Sequence, residues 1–324
     1  MLVCRAALPA VPLLVWLLCL GAAAPAKPRI RYLTRAGVRY LYMVDIASAY
    51  GLRYESGSKR FAMRSRYTGV QVTVDETEAV VNGTRVHLSD APWVANGFAV
   101  LAEVDVRLLL SPILRGSGLR RGDVRRVLID PGHGGPDPGT VSGKKREKDI
   151  TLQVARRLEQ ELVAKGFAVA LTRTRDAEAA LGGRAQKARS VKADILVSLH
   201  CNAAGASIRG IESFRVPPVG ARSTYGTQRA TTTCTNNAWD ADNARLAYEI
   251  QRATVASARA TDRGVKNARF MVLRDAACPA VLVEMGFLSH STEAANLANA
   301  DYQAKLARGI ALGITRYDAC LPRR

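Results

Sequence analysis

Two apolar runs in this chain each end in a histidine. Val127-Leu-Ile-Asp-Pro-Gly-His133-Gly-Gly carries one out of a strand pattern into a Gly/Pro turn, and Ile195-Leu-Val-Ser-Leu-His200 delivers the other. Between them Arg146-Glu147 opens a helical pattern in which Ile150, Val154, Leu158 and Leu162 recur every four residues. Strand and helix patterns alternate in this way from Val124 onward, which predicts an α/β domain with a mostly parallel central sheet flanked by helices. Strands are expected at 126–130, 167–172, 194–199, 211–216 and 281–284, with further helices at 243–256 and 292–317. The chain has only four histidines, and two of them end apolar strands.

A length of 324 residues suits a domain of about 200 residues plus a smaller one. Residues 1–26 read as a secretory signal: Arg5 is the lone charge, 8–20 is a short apolar run, and Ala24-Pro25-Ala26 offers a cleavage site. Residues 27–118 read as a small α+β domain, with a helix at 42–52 and strands at 61–66 and 70–74. A hairpin at 79–86 turns on Asn82-Gly83, a pair suited to the positive φ angles of a tight turn. Gly116–Gly122 then reads as a linker into the larger domain, 119–324.

The formal net charge is +19, and loss of the signal removes only Arg5. A field of that sign concentrates polyanions. For an exported chain without a nucleic-acid module, an anionic extracellular polymer such as bacterial wall, or an acidic membrane surface, fits better than nucleic acid. After the signal is removed no integral membrane segment is expected, and Cys201, Cys234, Cys278 and Cys320 remain. In an oxidising compartment they allow two disulfides in three connectivities; a four-cysteine zinc site is disfavoured because no C-x-x-C pair exists. Residues 217–242 form a long irregular insert rich in Thr, Gly and Asn. Cys234 within it favours a bridge to Cys278, which would pin the insert beside the last apolar strand. Cys201 follows His200 directly and, on a strand, faces the opposite way.

His133, Glu147 and His200 stand at or just beyond the ends of separate elements. Two imidazoles and a carboxylate so placed can hold Zn²⁺ and leave a fourth position for water. Pro279-Ala-Val-Leu-Val-Glu284 adds a carboxylate at the end of an apolar strand, where desolvation raises its pKa and suits it to general acid–base work. Each residue alone has a plainer explanation: a turn histidine, a carboxylate favoured by a helix dipole, a strand-end glutamate in solvent. Together they specify a centre.

The segments VLIDPGHGGPDPGTVSGKKREKDITLQVARRL, LGGRAQKARSVKADILVSLHCNAA, RGVKNARFMVLRDAACPAVLVEMGFLSH and GITRY resemble the type-3 family of zinc-dependent N-acetylmuramoyl-L-alanine amidases over Arg125–Asp318. The resemblance implies a hydrolase that cuts the amide between N-acetylmuramic acid and L-alanine in peptidoglycan, secreted or periplasmic and associated with the cell wall. It implies His133, Glu147 and His200 as zinc ligands, Glu284 as the catalytic carboxylate, and Arg184 as a structural or substrate-binding residue. Some members carry a segment at the position of 217–242 that blocks the zinc until a partner protein removes it; here the insert is shorter and lacks an obvious helical pattern. Residues 27–118 resemble the copper-amine-oxidase N-terminal-like stalk module, without a copper site, and so suggest a stalk or wall-binding domain. Two alternatives remain open: another zinc peptidase or amidohydrolase acting on wall peptides, and a catalytically silent wall-binding or activator protein. A fragment beginning at Arg120 would contain every candidate site residue.

Overall fold

In the computed structural model, which describes residues 29–323, the strand Arg126–Pro131 lies between Ala168–Leu171 and Ile195–Asn202. Ile195–Asn202 in turn pairs with Ala280–Phe287, and all four strands are parallel. The signal read at residues 1–26 lies outside the described residues. Ile211–Arg215 joins antiparallel to Ala280–Phe287 and parallel to Asp262–Asn267. Strands in such a sheet are apolar throughout because both faces are covered; Ala280–Phe287 is buried at every position.

On one face Ile129, Val197, Leu199 and Val283 pack beneath the helices Glu147–Val163 and Asp240–Ala258, and Ala300–Cys320 packs against both helices. On the other face Leu128, Leu196, Leu282 and Phe214 meet Val272 and Leu273 of the short helix Met271–Arg274. Ala300–Cys320 approaches Asp240–Ala258 closely. A Cβ on Gly309 would stand 2.6 Å from the Cα of Thr254, and one on Gly313 would stand 2.5 Å from the Cα of Ile250. The helix expected at 292–317 is two helices, Ser291–Leu297 and Ala300–Cys320, because Asn299 accepts bonds from the amides of Asp301 and Tyr302 and starts the second.

The N-terminal region has the expected α+β character, with a helix Met43–Tyr50 and a turn at Asn82 (φ 48°) and Gly83 (φ 80°). Four of its strands form a separate antiparallel sheet, and the other five extend the central sheet to eleven strands. The junction is Val265 paired with Val86, which joins Asp262–Asn267 to Thr84–His87 in parallel. One hydrophobic core runs across it, holding Val81 and Val86 together with Tyr248 and Val265. Polar contacts follow the same seam: Arg215 Nη1 donates to Leu108 O at 2.8 Å, Tyr248 Oη to Val81 O at 3.1 Å, and Arg245 Nη1 to Ile113 O at 2.8 Å. The segment read as a linker is pinned over its second half, by Arg120 N to Asp242 Oδ1 (3.2 Å) and Gly122 N to Pro322 O (3.0 Å).

Cys201, Cys234, Cys278 and Cys320 are free thiols, so the expected Cys234–Cys278 bridge is not formed. The insert is anchored at that point by an amide instead: Asn236 Nδ2 donates to Cys278 O at 2.8 Å and to Ala276 O at 3.2 Å. The Cys234 thiol turns towards Asn237 Oδ1 (3.2 Å), while Cys201 is buried in the core opposite His200, as strand alternation requires. Among the described residues no helix is long and apolar enough to cross a membrane.

The shared sheet bears on the stability of a fragment starting at Arg120, although that fragment contains every candidate site residue. Removing residues 1–119 would strip the edge of Asp262–Asn267 and uncover Val265 and Tyr248, which share one core with Val81 and Val86. Uncovering a large apolar side chain costs roughly 1.5–3 kcal/mol. Calorimetry of the fragment should therefore show no cooperative transition near that of the full chain; matching transitions would mean the seam contributes no stability. Asp105 supplies a second test. It accepts bonds from Ser89 N and Oγ, yet burial pushes its carboxyl up to about 6. A carboxyl raised on folding stabilises fully below its unfolded pKa and loses that contribution as pH rises through its folded value. Between pH of about 4 and 7 the chain should lose up to about 3 kcal/mol relative to Asp105→Asn, read as a divergence of their melting temperatures.

Candidate metal centre

The polar end of the sheet begins where one face changes character along each strand: Leu128 gives way to Asp130, Leu196 to Ser198 and His200, Leu282 to Glu284. Asp130 is fully buried and accepts from Ser198 Oγ (2.7 Å), Thr172 Oγ1 (2.6 Å) and Arg184 Nη1 (2.6 Å). Beyond it the chain turns through Gly132 into His133, whose φ of 59° is left-handed. Two buried arginines hold this turn. Arg184, on the helix Leu181–Ser190, donates to the carbonyls of Pro131 (2.8 Å), His133 (3.0 Å) and Ala179 (3.0 Å). Arg173 donates to Pro131 O (3.1 Å), Gly132 O (2.9 Å) and Lys148 O (2.8 Å). Arg184 thus lines the cleft while most of its donors serve the loop that carries His133. Arg173 lies in an unremarkable Thr-Arg-Thr-Arg run and gave no signal in sequence.

His133, Glu147 and His200 come together. Glu147 is the first residue of its helix, 3% exposed, and its Oε1 lies 3.0 Å from both His133 Nε2 and His200 Nδ1. One ligand atom from each of the three residues lies within 4.8 Å of the others, so the set can hold a metal ion. Cys201 N donates to Glu147 Oε1 (3.0 Å) and Thr140 N to Oε2 (2.9 Å), which fixes the carboxylate plane. Burial pushes the Glu147 carboxyl up, but the hydrogen bonds from His133 and His200 outweigh it and hold it well below the usual range. The bond to Glu147 in turn raises His133, against its own desolvation. Asp137 Oδ2 takes the other ring nitrogen, Nδ1, at 2.7 Å and orients the imidazole. Asp137 was also not singled out in sequence, although D-P-G spacing places it four residues beyond His133.

Glu284 is paired in register with His200 on the neighbouring strand and so faces the same side. It is 9% exposed, and its Oε2 is buried without a hydrogen-bond partner. Burial pushes its carboxyl well up, and the charges of Glu147 and Glu212 add to the effect. Glu212, its partner on the other side, is fully buried and ionically satisfied by Lys266 Nζ (2.6 Å) and by Arg263. The cleft in front of the histidines has a volume of about 500 Å³ and is bounded by Asp137, Glu178 and Ala180 as well as the arginine-held loop. None of the residues lining it belongs to the 217–242 insert. The insert is held by Arg229 Nη1 to Asp90 Oδ2 (2.8 Å) and Thr224 N to Asn267 O (2.9 Å), and its Tyr225 hydroxyl donates to Glu212 Oε1 (3.4 Å), the strand neighbour of Glu284.

Comparison with known proteins places this arrangement. The N-acetylmuramoyl-L-alanine amidase family Amidase_3 matches residues 127–316. The amidase LytC of Bacillus subtilis (strain 168) is 35% identical over 191 residues, which are 59% of this chain and 35% of LytC; this chain therefore spans about a third of that relative. The uncharacterised protein YqiI of the same organism is 34% identical over 217 residues, 67% of this chain and 95% of YqiI. Among solved structures, an N-acetylmuramoyl-L-alanine amidase from Clostridium difficile 630 superposes with a TM-score of 0.52 at 35% identity, covering 60% of this chain and 97% of that one. The CwlV catalytic domain from Bacillus (Paenibacillus) polymyxa superposes with a TM-score of 0.51 at 32% identity, covering 60% and 97%. From the strand that delivers His133 to the C-terminal helix, the chain belongs to the Amidase_3 family of N-acetylmuramoyl-L-alanine amidases.

Proposed function

We propose that the protein is a zinc-dependent amidase that hydrolyses the bond between N-acetylmuramic acid and L-alanine in bacterial peptidoglycan, acting outside the cytoplasm at the wall. The observation that carries this reading is the convergence of His133, Glu147 and His200 on one point, with Glu284 beside them, in a chain of this family. The donor set suits zinc. Metal–ligand bonds of about 2.0–2.1 Å in a tetrahedron put donors about 3.3 Å apart, and the two His–Glu spacings here are 3.0 Å. The backbone is also shaped to leave these side chains room. A Cβ on Gly132 would fall 2.4 Å from His200 Cε1, and one on Gly139 would fall 2.6 Å from Glu147 Oε2.

Zinc held there would supply Lewis acidity and a nucleophile available at neutral pH. The protein's own part is proton handling and placement. Glu284, desolvated and free at Oε2, would accept a proton from the attacking water and return it to the departing alanine amine. Asp137 keeps the His133 ring oriented, and the Arg173–Arg184 pair holds the loop so that the reacting groups need no rearrangement. Residues 29–118 would then face the wall as part of the same sheet and core, in place of a stalk on a free linker.

Mass spectrometry of digested peptidoglycan tests the bond. Free stem peptides beginning at L-alanine beside peptide-free glycan are expected; cuts within the stem would favour a zinc peptidase. His200→Ala should lose both bound zinc and activity, measured by elemental analysis and turnover, because two remaining ligands bind zinc weakly. Glu284→Gln should keep its zinc and lose about 10²–10⁴-fold in turnover. Loss of metal in that variant would make Glu284 a ligand or a folding residue instead.

A further inference from the structure

We propose a second binding site, remote from the cleft, in which Arg66 and Arg252 grip an oxyanion of a cell-wall polymer beside the ring of Tyr67. The source of the ligand rests on the wall-hydrolase reading; the site itself rests on the following geometry. A cavity of about 420 Å³ opens between the hairpin of Arg60–Arg64 and Gly69–Thr73 and the helix Asp240–Ala258. Three guanidinium-bearing residues, Arg64, Arg66 and Arg252, line it. Arg64 is engaged, with Glu55 at 3.0 Å and Gln71 at 3.3 Å. Arg66 and Arg252 are exposed and have no carboxylate partner among the described residues.

The walls are fixed in advance. The turn bearing Arg66 and Tyr67 is closed by Ser65 N to Thr68 O (2.7 Å) and by Thr68 N to Ser65 Oγ (3.1 Å). Asn82 Oδ1 ties the floor to Gly69 N at 2.8 Å. Arg252 stands one turn beyond Tyr248, whose hydroxyl bonds to Val81 O and so sets the height of that helix over the hairpins. Tyr67 is displayed: it is 82% exposed, with the Arg66 guanidinium 5.4 Å from its ring centroid. Two unpaired planar guanidinium groups on a pre-formed cavity match the two-pronged geometry of a phosphate or carboxylate, and the aromatic face offers a platform for the adjoining ring of a polymer unit. The site lies five strand spacings from Ala280–Phe287, about 24 Å along the sheet. It can therefore hold the wall while the cleft works on another segment, which raises local substrate concentration without touching the chemistry.

The test uses the full chain and two charge-matched double variants. One is Arg66→Ala/Arg252→Ala; the other is Lys165→Ala/Lys305→Ala, at exposed lysines elsewhere. Binding is measured by sedimentation with sacculi that retain their phosphate polymers and with sacculi stripped of them by hydrofluoric acid. Turnover is followed on a soluble muramoyl-L-alanine peptide. The arginine variant should bind at least about tenfold more weakly, with soluble turnover unchanged, while the lysine variant binds as the unaltered chain does. A loss confined to unstripped sacculi identifies phosphate as the ligand, and a loss on both identifies the carboxylates of the peptide stems. Equal weakening in both double variants would reduce the effect to net charge and overturn the proposal, as would full binding by the arginine variant. Failure of the unaltered chain on the soluble peptide would count against the amidase reading and leave the binding comparison standing.

Discussion

Arg173 and Arg184 turn their guanidinium groups inward onto the carbonyls of Pro131, Gly132 and His133, and the geometry of the cleft is referred to that contact. Each arginine is only 5% exposed. Burial pushes the Arg173 guanidinium down, and the like charge of Arg184 pushes it further. Such groups remain inside only when nearly every donor is matched, and here the carboxylate of Asp130 and a row of backbone carbonyls do the matching. What the pair secures is a backbone conformation that an L-residue visits reluctantly: His133 in the left-handed region costs of order 1–2 kcal/mol. With its carbonyl held by Arg184 and its ring by Asp137, the imidazole is aimed by the protein before anything binds.

The second organising fact is that the N-terminal strands complete the central sheet. Without Thr84–His87, the strand Asp262–Asn267 would be an exposed edge next to the buried Glu212–Lys266 pair. The N-terminal region also bears on the insert, since Asp90 receives Arg229 and anchors that end of it. A module that resembles a stalk in sequence is thus part of the mechanical support of the catalytic half.

Much of the site was legible in the sequence because its residues sit in motifs whose local chemistry is strong. Apolar strands that end in His133, His200 and Glu284 advertise both the sheet and its polar end, and Glu147 opens a clear four-residue periodicity. What escaped is what depends on distant partners. Asp262–Asn267 is polar and was not among the expected strands; it is a strand paired on both sides. Leu181–Ser190 contains Gly182 and Gly183 and has little apolar periodicity, so its helix, and with it the position of Arg184, was not marked out. Arg173 and Lys266 look like surface charges until the fold buries them against carbonyls and Glu212. The disulfide inference was reasonable for an exported chain, but the need it answered, an anchor for the insert, is met by the side-chain amide of Asn236.

Gly309 and Gly313 let two helices touch backbone to backbone. The spacing of that layer is thereby set by main-chain atoms, which cannot adopt another rotamer, and the pair behaves as a shim of fixed thickness. Asp240–Ala258, pressed down by that contact, itself lies against both Ala280–Phe287 and Thr84–His87. Even a single methyl group at either glycine would have to lift the whole helix, and the tilt would be felt at once by two strands that stand three positions apart in the eleven-stranded sheet. A substitution far from any reacting atom could therefore misalign the cleft and the N-terminal hairpins together, with the two errors correlated because they share one mechanical origin.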